Sequence, residues 1–123
     1  MKIALKSIIL AVPALSKLTG ADLSLKLAYR LRKLIDALQK EADFFSEQRA
    51  KILNKYGVPD DAGEYAFSGD GEQKAIEELD ALLDMEVTVE LDALRVPISE
   101  KVALSVNDMI NLAPFVEFIE EEN

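Results

Sequence analysis

The sequence predicts an α+β fold, mainly helical, in which a long central helix is packed by shorter antiparallel helices and a small antiparallel β element is added to them. Three stretches predict it. From Leu27 to Gly57, the residues Leu31, Ile35, Leu38, Ala42, Phe45, Ile52 and Tyr56 recur at steps of three, four or seven. That spacing places them on one side of an α-helix, with Arg32, Lys33, Lys40, Glu41, Asp43 and Glu47 mostly elsewhere. At about 1.5 Å per residue this rod is on the order of 45 Å long, too long for one short partner to cover. Gly71 to Asp84 repeats the helical period with Ala75, Ile76, Leu79, Leu82 and Leu83 inward. Met85 to Asp92 then changes the period to two, since Val87, Val89 and Leu91 alternate with Thr88, Glu90 and Asp92, the pattern of a half-buried strand.

The 123 residues fit a single domain, 1–123, large enough for a modest core without disulfide or metal staples. Half of the residues are apolar and 30% are charged, the balance of a folded chain rather than a disordered one. There is no cysteine and no histidine. The first absence removes disulfides, thiol nucleophiles and thiolate zinc sites; the second removes the usual general base near neutral pH and the commonest transition-metal ligand. Ile8 to Leu15 behind Lys2 and Lys6 imitates a secretory signal, but the apolar run is short, Pro13 interrupts it, and no clear small-x-small cleavage site follows. No stretch approaches the roughly 18 apolar residues of a membrane span, so no membrane association is expected.

The net charge of −9 is unevenly distributed. Residues 1–57 carry 11 Lys and Arg against 5 Asp and Glu; residues 58–123 carry 3 against 18. A basic helical half is thus followed by an acidic α+β half. The simplest consequence is that the acidic half folds back along the basic helix, each exposed pair contributing a few tenths of a kcal/mol. The alternative is that the acidic face of one molecule meets the basic face of another, or a basic partner, with electrostatic steering. Direct nucleic-acid binding is disfavoured, because the acidic half repels phosphates.

In chain order, Met1 to Leu5 reads as a short strand. Ser7 is the expected N-cap of a first helix that ends near Thr19, with Pro13 kinking it or moving its start towards Ala11. Asp22 or Ser24 caps the long helix. The short connection between the two helices makes them antiparallel neighbours, so the first covers the amino-terminal half of the second. Lys55, Tyr56 and Gly57 form its carboxyl end, a cation in the last turn and a glycine just past it. Between two turn clusters, Pro59 to Gly63 and Ser68 to Gly71, Tyr65 and Phe67 alternate in a small strand or extended arm. The third helix is expected against the carboxyl half of the long one, facing Arg49, Lys51 and Lys55. Leu94 to Ile98 is a further extended piece, with Pro97 suited to an edge. The extended pieces are expected to pair antiparallel, with Glu64–Phe67 and Met1–Leu5 both open as partners. Ser105 caps a helix to about Leu112, Asp108 completing a capping arrangement. Pro114 then begins a last helical turn to Ile119, in which Phe115, Phe118 and Ile119 close over the core, before an acidic tail.

No catalytic constellation stands out, and neither a metal nor a cofactor is expected. The loop acids Asp60, Asp61, Asp70 and Glu72 are the densest cluster that could hold a hard cation such as magnesium, but loop carboxylates are far more often turn formers. An EF-hand alignment on Gly71 puts Ala66 where the leading carboxylate belongs, and one on Gly63 is worse. The binding candidates are Tyr29, Arg30 and Arg32, in a basic cluster with Lys33, together with the possible aromatic anchors Phe44, Tyr65 and Phe67. Phe44 lies beside the apolar stripe, and core burial is favoured for it over exposure.

Val12-Pro13-Ala14-Leu15, Leu27-Ala28-Tyr29-Arg30-Leu31, Gln48-Arg49 through Lys55-Tyr56-Gly57, Glu86-Val87-Thr88-Val89 and Leu112-Ala113-Pro114-Phe115-Val116 occur in this order. In that order the chain resembles a small uncharacterised protein family of tailed bacteriophages and prophages. The loop Pro59 to Gly63 departs most from the family's pattern. The resemblance supplies no catalytic residue. It implies a viral protein acting in the host bacterial cytoplasm or in the virion, and it raises assembly and host interaction above metabolism. The sequence therefore favours a non-enzymatic protein–protein interaction protein, a virion component or an assembly factor or chaperone, with a phage or host protein as partner and homo-oligomerisation possible. The alternative is an acidic inhibitor of a host defence or nucleic-acid-processing enzyme, which should present carboxylates in rows along one face.

Overall fold

A computed structural model of the chain describes residues 1–20, 23–98 and 102–120. The elements are β1 (Lys2–Ala4), α1 (Leu5–Leu18), α2 (Leu25–Tyr56), β2 (Gly57–Pro59), β3 (Tyr65–Phe67), α3 (Gly71–Leu83), β4 (Glu86–Thr88), β5 (Leu94–Pro97), α4 (Val106–Leu112) and β6 (Val116–Ile119). The architecture is α+β and mainly helical, with α2 as its axis. Ser24 is the cap of α2, its side chain accepting from Leu27 N at 3.3 Å. Asp22, the other candidate, lies outside the described residues, as do Glu121 to Asn123 of the acidic tail.

The core sits at one end of this axis. Leu27, Leu31, Leu34 and Leu38 of α2 are buried against Ile8, Ala11, Leu15 and Leu18 of α1. Val89, Leu94, Val96, Leu112, Phe115 and Val116 close the same cluster from the other side. As expected, α1 covers the amino-terminal half of α2, and α3 lies against the carboxyl half.

α1 begins earlier than the capping pattern suggests. Ser7 is not its cap: the helix starts at Leu5, and Leu5 N donates to Met85 O at 2.9 Å. A neighbouring chain segment thus satisfies a first-turn donor that a capping side chain would otherwise serve. The helix also runs through Pro13 to Leu18 instead of starting near Ala11. Pro13 faces solvent while Ala11, Ala14, Leu15 and Leu18 face the core, so tertiary burial holds the helix across the missing donor.

The strands form three separate pairs. β1 pairs antiparallel with β4, one of the two expected arrangements, with Ile3 opposite Val87. β2 and β3 form an antiparallel hairpin, Gly57 opposite Phe67. Gly57 ends α2 in an extended conformation rather than a left-handed one (φ −136°), because the chain passes directly into β2. A Cβ there would stand 2.8 Å from Phe67 Cε1, so the ring would have to shift to admit one. The hairpin turn is held by Asp60, whose Oδ1 accepts from Ala62 N and Glu64 N, both at 2.9 Å. Gly63 supplies the positive φ of +81°.

The third pair corrects the expected end of the chain. Val116 to Ile119 is a strand, not a helical turn, and it runs parallel to β5 with Leu94 opposite Val116 and Val96 opposite Phe118. Val116, Phe118 and Ile119 are strand formers, Val116 is buried while Glu117 is exposed, and pairing with β5 outweighs the helical start that Pro114 offers. α4 is the crossover between these strands. Leu94 N and Ile98 N donate to Phe115 O and Ile119 O at 2.7 and 2.8 Å. Pro97 therefore turns its missing N–H away from β6, onto the edge.

α4 is fastened from both ends of its capping box. Asp108 N donates to Ser105 Oγ at 3.1 Å, and Ser105 N donates to Asp108 Oδ2 at 2.9 Å. The same carboxylate oxygen accepts from Lys17 Nζ of α1 at 2.5 Å. The lysine first, then the Ser105 amide, hold the Asp108 carboxyl below its ordinary value of 3.8. A carboxyl depressed in the folded state stabilises above its unfolded value, and that contribution is lost as pH falls through the folded value. Asp108→Asn is accordingly expected to lower the melting temperature at neutral pH. The gap from the wild type should narrow as thermal melts are taken below pH 3.8.

Candidate functional site

The nominated residues fall in three places. Tyr29, Arg30 and Arg32 lie near the start of α2, where successive positions turn by about 100°. Arg30 and Arg32 therefore open on different hollows. Arg30 and Lys33 line a cavity of about 370 Å³ with Leu34, the segment Leu91 to Leu94, and Arg95. Three cations and one carboxylate, Asp92, face this hollow. The Arg95 guanidinium is 3.8 Å from Glu117 on the neighbouring strand, and the Lys33 ammonium lies 4.9 Å above the Tyr29 ring. Arg32 borders a more apolar hollow of about 290 Å³ with Leu18, Leu23, Leu31 and Ile35 and stands 3.9 Å from Asp36.

Phe44 occupies the middle of α2, and 40% of its surface is exposed, so the expected burial in the core does not hold. The cause is the reach of the core, which stops at Leu38: between Gln39 and Ile52 no residue of α2 is buried. Phe44 begins a stripe that continues through Gln48, Lys51, Ile52 and Lys55 at helical steps. The last four of these residues face Glu78, Ala81 and Leu82 of α3 across an open groove of about 380 Å³.

α3 approaches α2 along Gly71, Ala75, Glu78 and Leu82. Small residues at the first two positions let the helices come close, and Gly71 and Ala75 are its buried residues. Ile76, expected to point inward, is instead 45% exposed, since it lies off this line. Lys55 Nζ meets Glu78 Oε1 at 3.1 Å, as expected for an acidic helix seated on the basic end of α2. Tyr56, then Glu78, hold the Lys55 ammonium above its ordinary value of 10.5. The second oxygen, Glu78 Oε2, is buried and accepts no hydrogen bond from the described residues.

Tyr65 and Phe67 lie past the carboxyl end of α2, on the β2–β3 hairpin. Their rings stack with centroids 6.4 Å apart, and the Tyr65 hydroxyl donates to Asn54 Oδ1 of α2 at 3.0 Å. Both are half-buried, and they hold the hairpin to the helix. Replacing both with alanine is expected to accelerate amide exchange across 57–67 while the core loses less than about 1 kcal/mol. Hydrogen exchange read peptide by peptide measures the first, and denaturant titration the second.

Arg30, Arg32, Phe44 and the two hairpin aromatics thus do not converge on one site. Arg95, which completes the cationic hollow, carries no local signal in the sequence, because strand pairing brings it there. Lys51, Lys55 and Glu78 could be found from the helical steps that link them to Phe44 and Ala75. Among the described residues no three carboxylates form a group that could hold a metal ion, and Asp60 is engaged in its turn. Among the described residues no helix is long and apolar enough to cross a membrane. No protein-family model, curated protein or solved structure matches the chain.

Proposed function

We propose that the chain is a non-enzymatic protein–protein interaction protein encoded by a phage or prophage. On this reading it is a virion component or an assembly factor, working in the host cytoplasm or in the particle. The observation that carries the interaction role is the carboxyl half of α2. Phe44 is exposed there, Ala42, Phe45 and Ile52 are only half-buried, and α2 has no buried residue from Gln39 until Leu53. Phe44 and Ile52, near a shallow groove rimmed by Lys51, Lys55 and Glu78, offer the kind of surface a helical partner covers. The viral setting rests on the resemblance of the five sequence segments.

The inhibitor alternative has one feature in its favour. Glu77 and Asp80 of α3 and Asp84 just past its end follow one another on an exposed line. That row is only about 10 Å long. The neighbouring acids Asp70 and Glu78 are engaged with Lys74 and Lys55, and Glu117 with Arg95, so the row does not extend into a face. Assembly remains the better reading.

The test is affinity capture from infected or prophage-induced cells with the wild-type chain and with Phe44→Asp, followed by mass spectrometry. Capsid, portal or tail proteins retained by the wild type and lost with the variant would support the proposal. A host nuclease or defence protein in their place would favour the inhibitor, and identical recovery by both chains would remove the arm from the account.

A further inference from the structure

We infer that the arm formed by the carboxyl half of α2 and by α3 binds a second copy of itself, so that two chains join in a four-helix bundle about a two-fold axis. The inference rests on the interaction reading and names a partner for it. Its ground is self-complementary charge. The last nine residues of α2, 48–56, contain Arg49, Lys51 and Lys55 and no acid. The thirteen residues of α3 contain Glu72, Glu77, Glu78 and Asp80 against Lys74. Over these residues α2 is +3 and α3 is −3, and in the groove itself Lys51 and Lys55 stand opposite Glu78.

A two-fold contact uses the same patch on each chain, so it can lay α2 of one molecule over α3 of the other twice. Both new contacts then join opposite charges. A foreign partner would need to reproduce both signs at the same spacing, whereas a second copy carries them by construction. Apolar surface is available beside the charges: Ile52 of α2 with Ala81 and Leu82 of α3 in the groove, and the exposed Phe44 farther along α2. Two helices offer only one covered side each, and a four-helix arrangement covers the other.

The experiment is the molar mass of the purified full chain, by sedimentation or light scattering, over about a hundredfold range of concentration. The wild type is expected to move from 13.6 kDa towards twice that mass. Phe44→Asp, at an exposed position, should keep the wild-type circular dichroism and weaken association by about tenfold or more. Two charge variants give an independent reading. Lys51→Glu with Lys55→Glu makes both helices of the arm acidic, and Glu77→Lys with Glu78→Lys makes the groove basic on both sides. Each variant alone should stay monomeric, and an equimolar mixture should recover the dimer, because opposite charges then meet in both contacts. A wild type that stays monomeric throughout, or a dimer indifferent to Phe44→Asp and to the charge reversals, overturns the inference. A monomeric wild type that still captures a viral protein through Phe44 would overturn this inference alone and leave the proposed function standing.

Discussion

Phe115→Ala is expected to reduce the free energy of unfolding by about 3–5 kcal/mol, the usual cost of emptying a buried aromatic site. Phe115 has no exposed surface and belongs to the cluster that joins α1, α2, β5 and β6. Its backbone is engaged as well. Phe115 N donates to Leu112 O at 2.8 Å, closing the end of α4, and Phe115 O accepts from Leu94 N, beginning the parallel pair. The backbone bonds survive the substitution, so the loss is one of packing, and the side chain's neighbours cannot all move inward to fill the gap. Against a total of order 5–15 kcal/mol for a domain of this size, the variant should be near the limit of stability. Thermal melts should show a fall on the order of 15 °C. A loss below 1 kcal/mol in denaturant titration would mean that this end of the core is not formed.

Gly71→Ala is expected to destabilise by about 1–3 kcal/mol, although alanine is the better helix former. Gly71 starts α3 where that helix meets the end of α2. A Cβ built there stands 2.8 Å from Tyr56 O, and backbone cannot yield as a flexible side chain can. The helices would have to separate, and the Ala75 contact and the Lys55–Glu78 pair lie along the same line. Gly57→Ala provides the comparison: its Cβ would meet the Phe67 ring at the same 2.8 Å, but a ring on a short hairpin can shift. Urea titration of the two variants should rank Gly71→Ala as the more damaging, and equal losses would argue against the close approach of α2 and α3.

Elements whose causes are local were legible in the sequence. α2 carries its period over 32 residues, and the Ser105–Asp108 box needs only neighbouring residues, so both could be read directly, while the sequence narrows the cap of α2 to Asp22 or Ser24. Alternation marks an extended segment over Met85 to Asp92, of which Glu86 to Thr88 pairs, but the sequence leaves two segments open as its partner and only the fold selects the first residues. What failed depends on contacts distant in sequence. The start of α1 is set by Met85 O, 80 positions away from Leu5, and β6 is a strand because β5 lies beside it. Phe44 and Ile76 were misplaced for a related reason. Periodicity shows which residues share a face, but not how far along a rod the core extends, and this core ends at Leu38.

The candidate site shows the same division. The basic cluster at Tyr29, Arg30, Arg32 and Lys33 was visible, but only three-dimensional folding separates Arg30 from Arg32 and brings Arg95 to the former. The groove along Lys51, Lys55 and Glu78 required knowing that α3 returns along α2 on the line of Gly71 and Ala75. The opposite signs of the two halves anticipated that seat.

The central claim is that α2 has one half committed to its own core and one half held open for another molecule. Amide hydrogen exchange of the purified chain, read along α2 and α3 at low and high protein concentration, tests it most directly. The account predicts that residues 27–38 are strongly protected at both concentrations, whereas 39–56 and 71–83 exchange faster when dilute and gain protection as the chain is concentrated. Uniform, concentration-independent protection from 27 to 56 would contradict it, because the carboxyl half would then be as closed as the core.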